Sequence, residues 1–144
     1  IEMGHVAGSE IDGRVISSDL SLEGMLSKKK DFIGKRSLNR EAFLNPNREK
    51  IVGVVPIDKK SMIPEGSHLV SDANAALPNP KLGHISASCW SVEYNNPFSL
   101  AILKDGKKRI GDKLFAVSPL KNKNIEVEIV SSHYVDPKGE RVRS

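Results

Sequence analysis

The chain has 144 residues, room for one domain or for one domain plus a piece of another. Its 22 Lys+Arg against 18 Asp+Glu leave a net charge of +4, too mild to require nucleic acid as a partner. A single cysteine, Cys89, excludes an intrachain disulfide and a cysteine-rich zinc site. One free thiol fits a reducing compartment, so a cytoplasmic location is expected. No apolar run approaches the ~20 residues of a membrane span, and no signal peptide opens the sequence. The chain begins Ile1-Glu2-Met3-Gly4 without an initiator methionine, which reads as a fragment or a processed chain.

Residues 1–27 are dotted with Gly and Ser. Ser18 or Asp19 is expected to cap a short helix running to about Leu26, with Leu20, Leu22, Met25 and Leu26 as its apolar positions. The run Lys28-Lys29-Lys30-Asp31 follows, and Gly34 permits a sharp turn after Phe32-Ile33. Ser37 is a candidate N-cap for a second short helix, Leu38 to Leu44, ended by Asn45-Pro46. From Lys28 to Lys50 there are eight Lys/Arg and three Asp/Glu, the most basic stretch of the chain.

After Lys50 the texture changes to short β-like runs: 51–57, 67–70, 82–88, 99–103, 113–117 and 125–131. Turn residues separate them, among them Pro64-Glu65-Gly66, Pro78-Asn79-Pro80, Asn95-Asn96-Pro97 and Asp105-Gly106, the last a tight-turn signal. Val127 and Ile129 alternate with Glu126 and Glu128 as a one-sided strand would. Eleven Gly and eight Pro suit such a turn-rich architecture. Six short strands at this spacing predict a small closed, Greek-key-like barrel, because closure removes exposed edges. The fold class expected is mainly β, with an α+β tail in front of the barrel and a boundary near residues 45–50.

There is no G-x-G-x-x-G, P-loop or G-x-S-x-G element. His5, His68, His84 and His133 are scattered, and none stands at metal-ligand spacing, so no metal site is expected. His84, at a strand start, reads as a structural hydrogen-bonder. Cys89 beside Trp90 lacks a local activating base and reads as an inert thiol. The lysine run is either a solvated face or an anion site, since three ammonium groups beside a turn can hold a carboxylate or phosphate.

The string Ser27-Lys28-Lys29-Lys30-Asp31-Phe32-Ile33-Gly34-Lys35-Arg36-Ser37-Leu38 resembles the K-x-D-F-I-G-K-R-S-L signature of the glycine-cleavage aminomethyltransferase (T-protein) superfamily, in the form found in the α subunit of heterotetrameric sarcosine oxidase. Four further segments agree in the same order. Ile1-Glu2-Met3-Gly4 with Gly8-Ser9-Glu10-Ile11-Asp12-Gly13 is similar to L-R-x-E-x-G…G-x-D-x-D-G. Glu65-Gly66 matches an E-G turn, Gly83-His84-Ile85-Ser86-Ala87-Ser88 resembles G-H-V-T-S-S, and the segment Tyr134 to Arg141 is close to a Y-D-P-E-G-x-R tail. Residues 91–98 depart from the family's pattern, and the spacing from Gly4 to Gly8 is one residue short.

The resemblance implies a folate module ending in a small β-barrel. Residues 1–45 would be the tail of its middle, folate-binding domain and 46–144 the terminal barrel. It implies that Glu2 contacts the pterin of tetrahydrofolate, and that Lys30, with Lys29 as the nearby alternative, meets the folate's glutamyl tail. A carboxylate suits that place because it accepts two N–H bonds from an aminopyrimidine edge. The resemblance implies that the family's aspartate that assists one-carbon transfer lies far upstream, as does the NAD region, and that the flavin sites need segments or subunits not present here. No catalytic residue is therefore assigned here, and the chain by itself is expected to be inactive. Its implied partners are the rest of the α subunit and the other sarcosine oxidase subunits, with neither nucleic acid nor membrane. The implied parent reaction is oxidative demethylation of sarcosine with one-carbon transfer to tetrahydrofolate. Two rivals remain: a T-protein of glycine cleavage, and a non-catalytic basic β-barrel that touches RNA or a partner protein. The second would interleave aromatics with basic residues along its strands, and the strand-like runs carry only Phe115.

Overall fold

The computed structural model describes residues 1–75 and 80–143. The Pro78-Asn79 part of one expected turn lies outside the described residues. Six antiparallel strands form a closed barrel in the order β1-β4-β3-β2-β5-β6, with β6 returning to β1. They are β1 (Glu49–Pro56), β2 (His68–Val70), β3 (Gly83–Ser91), β4 (Asn96–Lys104), β5 (Lys113–Ser118) and β6 (Lys123–Val130). The run β1-β4-β3-β2 is a Greek key: three strands consecutive in sequence lie side by side, and β1 joins beside the last of them. Both expectations, a mainly β fold and a closed barrel of six strands, hold. Among the described residues no helix is long and apolar enough to cross a membrane.

Strand alternation decides what fills the barrel. Val52 and Val54 of β1, Ala101 and Leu103 of β4, and Leu114 and Ala116 of β5 belong to one interior cluster, with Ile85 and Leu69. On β6 Ile125, Val127 and Ile129 join it while Glu126 and Glu128 stay exposed, the one-sided strand read from the sequence. The alternate residues of β1 and β4 face outward and are still buried. Ile51, Val55, Phe98, Leu100 and Ile102 form a second cluster, covered by Leu20 with Val6, Val15 and Leu22 of the N-terminal segment. Residues before β1 are thus a lid on one outer face of the barrel, and each such side chain removed from water contributes ~1.5–3 kcal/mol.

Gly53 sits where β1 is paired on both sides, to Leu100 and to Val130. A Cβ added there would collide with the Ser131 carbonyl oxygen and stand 2.7 Å from the Phe98 ring. Gly53→Ala is therefore expected to cost about 2–3 kcal/mol by overpacking. Urea unfolding followed by circular dichroism measures it, and a loss below about 0.5 kcal/mol would show that the seam yields freely.

Three local expectations are corrected. No helix runs from Ser18 to Leu26; only a single 3-10 turn, Glu23–Met25, forms there. Ser21 has φ of 60°, which breaks the helical path, and the Asp19 carboxylate accepts from the Ile16 N–H behind it rather than capping residues ahead. The second helix is split into a 3-10 turn, Lys35–Asn39, entered through Gly34 at φ 91°, and a single α turn, α1 (Glu41–Leu44). Ser37 caps neither. Third, β3 and β4 extend into the expected turn around Pro97, leaving a hairpin tip of only 92–95; Trp90 faces Pro97 in register and Asn95 takes the left-handed conformation. Trp90 and Phe98 are therefore strand residues, which the sequence reading had missed. The Asp105-Gly106 turn signal holds: Asp105 takes the left-handed conformation and the chain passes from β4, beside β1 and β3, towards β5, beside β2 and β6. A second short helix, α2 (Glu140–Arg143), ends the described chain.

Candidate functional site

Glu2 belongs to no strand or helix, and the C-terminal tail fixes its backbone. The Glu2 carbonyl accepts from the N–H groups of Tyr134 and Val135, each at 2.9 Å, and Met3 bridges to His133. Gly4, at φ 77°, lets the chain turn against the His133 ring, where an added Cβ would stand 2.8 Å from the nearest ring atom. Glu2 is half-buried, and its Oε2 is buried without a hydrogen-bond partner. A buried, unsatisfied carboxylate oxygen costs free energy and sets Glu2 apart from the satisfied carboxylates of the chain's interior. The neighbouring Cys89 thiol is pushed up by burial and by the Glu2 charge, although the Glu2 N–H and the N-terminal ammonium pull it down. That is the inert thiol the sequence suggested.

Lys30 lies elsewhere, on the exposed loop 27–35. Its N–H donates to Ser27 Oγ at 2.8 Å, and its carbonyl accepts from Lys35 Nζ at 3.2 Å. Lys35 also pairs with Asp31 at 3.0 Å. Lys35 therefore organises the loop, while the Lys28, Lys29 and Lys30 side chains project into water. The structure does not gather these three into a preformed anion pocket, and no hydrogen bond or ion pair joins Glu2 to Lys30 among the described residues. A depression of about 370 Å³ lined by Asp31, Phe32, Gly34, Lys35, Arg36 and Ser37 adjoins the run. Ile33 beside it is fully exposed.

A polar cavity of about 300 Å³ between the N-terminal segment and the barrel was not foreseen; Glu10, Asp19, Arg48 and His84 are among its lining. Asp19, only 1% exposed, accepts from Arg48 Nε at 3.0 Å, from Lys50 Nζ at 2.8 Å and from the Ile16 N–H at 3.1 Å. Burial would raise its pKa, but the Arg48 and Lys50 bonds outweigh burial and hold it below the usual carboxylate range. Glu10 is likewise buried. Desolvation pushes it up, and bonds from Ser86, the Ala7 N–H and Ser9 more than offset that. Both carboxylate oxygens of Glu10 and of Asp19 are occupied from within the chain, so the pair works as a fastener. His84 does not do the hydrogen bonding expected of it: its Nδ1 is buried with no partner, and burial, with Lys81 nearby, lowers its pKa. The one signal for this cluster in the sequence was the acidic pair in Gly8 to Gly13; nothing local pairs Asp19 with Arg48.

Comparison with known proteins fits the geometry. No family model matches the chain. It is 33% identical over 143 residues to sarcosine oxidase subunit alpha of Rhizobium meliloti (strain 1021), covering 99% of this chain and 14% of the relative. It is 34% identical over 138 residues to the subunit of the same name from Corynebacterium sp. (strain P-1), covering 94% and 14%. The glycine cleavage system aminomethyltransferase T of Bartonella henselae shares the fold with a TM-score of 0.70 at 19% identity, over 94% of this chain and 37% of that one. The chain thus spans about a seventh of the length of the curated relatives it matches. A sequence likeness running through nearly every residue, on a barrel shared with an aminomethyltransferase, makes the chain a homologue of one segment of sarcosine oxidase subunit alpha.

Proposed function

We propose that this chain is the terminal folate-module segment of a sarcosine oxidase α-subunit-type enzyme, and that its task is to position tetrahydrofolate rather than to carry out oxidation. In this reading residues 1–45 are the end of the middle, folate-binding domain and 46–144 the terminal barrel. Flavin and NAD sites, and the acid that assists transfer, belong to other parts of the enzyme and its subunits. The observation that carries the reading is the buried, unpartnered Oε2 of Glu2. It fits an aminopyrimidine edge, which brings two N–H donors to one carboxylate. Tetrahydrofolate, when bound, supplies N5 and N10 as acceptors of the one-carbon unit. Glu2 orients the pterin by charge-assisted bonds, and orientation of this kind lowers a barrier by prepaying entropy. Lys30, whose exposed ammonium group pairs with no side chain among the described residues, offers a screened charge to the glutamyl tail. Identity of 33–34% to sarcosine oxidase subunits, against 19% to the aminomethyltransferase, supports the sarcosine oxidase form over the T-protein form.

In the complete enzyme, Glu2→Gln is expected to weaken tetrahydrofolate binding by about 1.5–3 kcal/mol, roughly tenfold or more, because an amide presents a donor where an acceptor is needed. Lys30→Ala is expected to cost about 0.5–1 kcal/mol, and its effect should shrink as salt is raised. Flavin reduction by sarcosine should stay nearly intact in both variants, since folate acts after that step. Titration of tetrahydrofolate at low and high salt measures these effects. Unchanged affinity in Glu2→Gln would remove Glu2 from the site and the reading with it.

A further inference from the structure

The β3–β4 hairpin departs from the family pattern, and positioning of folate by Glu2 and Lys30 makes no use of it. Its tip closes on the C-terminal tail. The Tyr94 ring lies 4.6 Å from that of Tyr134, tilted by 56°. Arg141 donates to both carboxylate oxygens of Glu93, at 3.1 and 2.6 Å. Asn96, 4% exposed, donates through Nδ2 to the Tyr134 hydroxyl at 3.2 Å. Beneath, the fully buried Phe98 stacks on Tyr134 with centroids 4.8 Å apart and planes within 11°. The hairpin thus holds the Tyr134 side chain on three sides, and the backbone N–H of the same residue holds the Glu2 carbonyl.

We infer that Tyr134 is the positioning residue for the Glu2 carboxylate, and that the β3–β4 hairpin acts through it as a clamp. The inference rests on the folate reading for what the carboxylate grips, but not for the clamp itself. Glu2 lies outside regular structure, so its direction depends on the bonds it makes to the 133–135 tail. That tail is held by the aromatic stack together with the buried Val135. The Glu93–Arg141 pair is exposed on both sides and adds little, as surface pairs do. A displacement of even ~1 Å at an orienting group can cost on the order of a hundredfold in rate, so a remote clamp of this kind is felt at the site.

Two measurements test it. In the complete enzyme, Tyr134→Ala should raise the tetrahydrofolate Kd about tenfold, and Tyr134→Phe, which keeps the stack, should stay within about threefold of wild type. Adding Glu2→Gln to Tyr134→Ala should bring no further loss, because both changes remove one interaction. The second readout needs no folate. On this 144-residue chain Cys89 is the sole cysteine. Its reaction with an aromatic disulfide reagent should speed up about tenfold in Tyr134→Ala as Glu2 moves away and the thiol is uncovered. If Tyr134→Ala fails to fold, Tyr94→Ala, at an exposed ring, carries the same test with effects of about threefold. Losses that add across the Tyr134 and Glu2 variants, or an unchanged Cys89 rate, would overturn the clamp. A faster Cys89 with folate affinity unchanged by either substitution would uphold the clamp and bring down the folate reading alone.

Discussion

Asp19→Ala is expected to destabilise the chain by about 3 kcal/mol, the low end for a broken buried pair, because Arg48 and Lys50 keep about a fifth of their side-chain surface in water. Both cations and the Ile16 N–H lose their shared acceptor at once. For a domain of this size the fall in Tm is on the order of 10 °C. The effect has a pH signature. The native carboxyl titrates below its ordinary 3.8, so its stabilisation is complete above about pH 4 and is lost as pH falls through the depressed native value. The gap in stability between wild type and Asp19→Asn should therefore be widest near neutrality and narrow below pH 4. Because Asp19 joins the N-terminal segment to the start of β1, the Asp19→Ala chain should also be cut faster by protease before residue 48. A loss under about 1 kcal/mol would class the triad with ordinary surface ion pairs.

Phe98→Ala is expected to cost about 3–5 kcal/mol, the range for removing a fully buried ring. The ring lies against the open face of Gly53 and under Tyr134, so its loss empties the layer between barrel and lid. Phe98→Leu should cost less, about 1–1.5 kcal/mol, since most of the volume is kept. Because Tyr134 rests on this ring, Phe98→Ala should also loosen the tail that holds Glu2. Chemical unfolding of the three chains measures the series. Equal losses for Ala and Leu would mean that the aromatic stack, and not the filled volume, is what Phe98 contributes.

The strands after Lys50 were legible because β-branched residues recur with turn residues between them, and because Glu126 and Glu128 mark the wet face of β6. Strand ends were legible only where no local signal misled. Asn95-Asn96-Pro97 carries strong turn chemistry, yet Pro97 pairs opposite Trp90, since burial of the Phe98 side of β4 outweighs local preference. The helix expected over 18–26 failed for the same kind of reason. Asp19 has the chemistry of a cap, but two cations 29 and 31 residues further on offer a better partner than the backbone ahead of it. In the sequence Glu2 was singled out by resemblance alone, and Lys30 by resemblance within a run that charge had already marked; the burial of Glu2 Oε2 is visible only in the fold.

By itself the sequence determined the mainly β character, the number of strands, the inward face of β6, the basic exposed run and the resemblance that singles out Glu2 and Lys30. These depend on local period, on turn residues and on short motifs, all readable within a few positions. The tertiary structure alone decided the order β1-β4-β3-β2-β5-β6, the lid laid on the outer face of β1 and β4, the Asp19 triad, and the tie from the hairpin through Tyr134 to Glu2. Each of these joins residues tens of positions apart. Such contacts form only when the closed barrel has brought them together, and no short-range pattern encodes a partner that far along the chain.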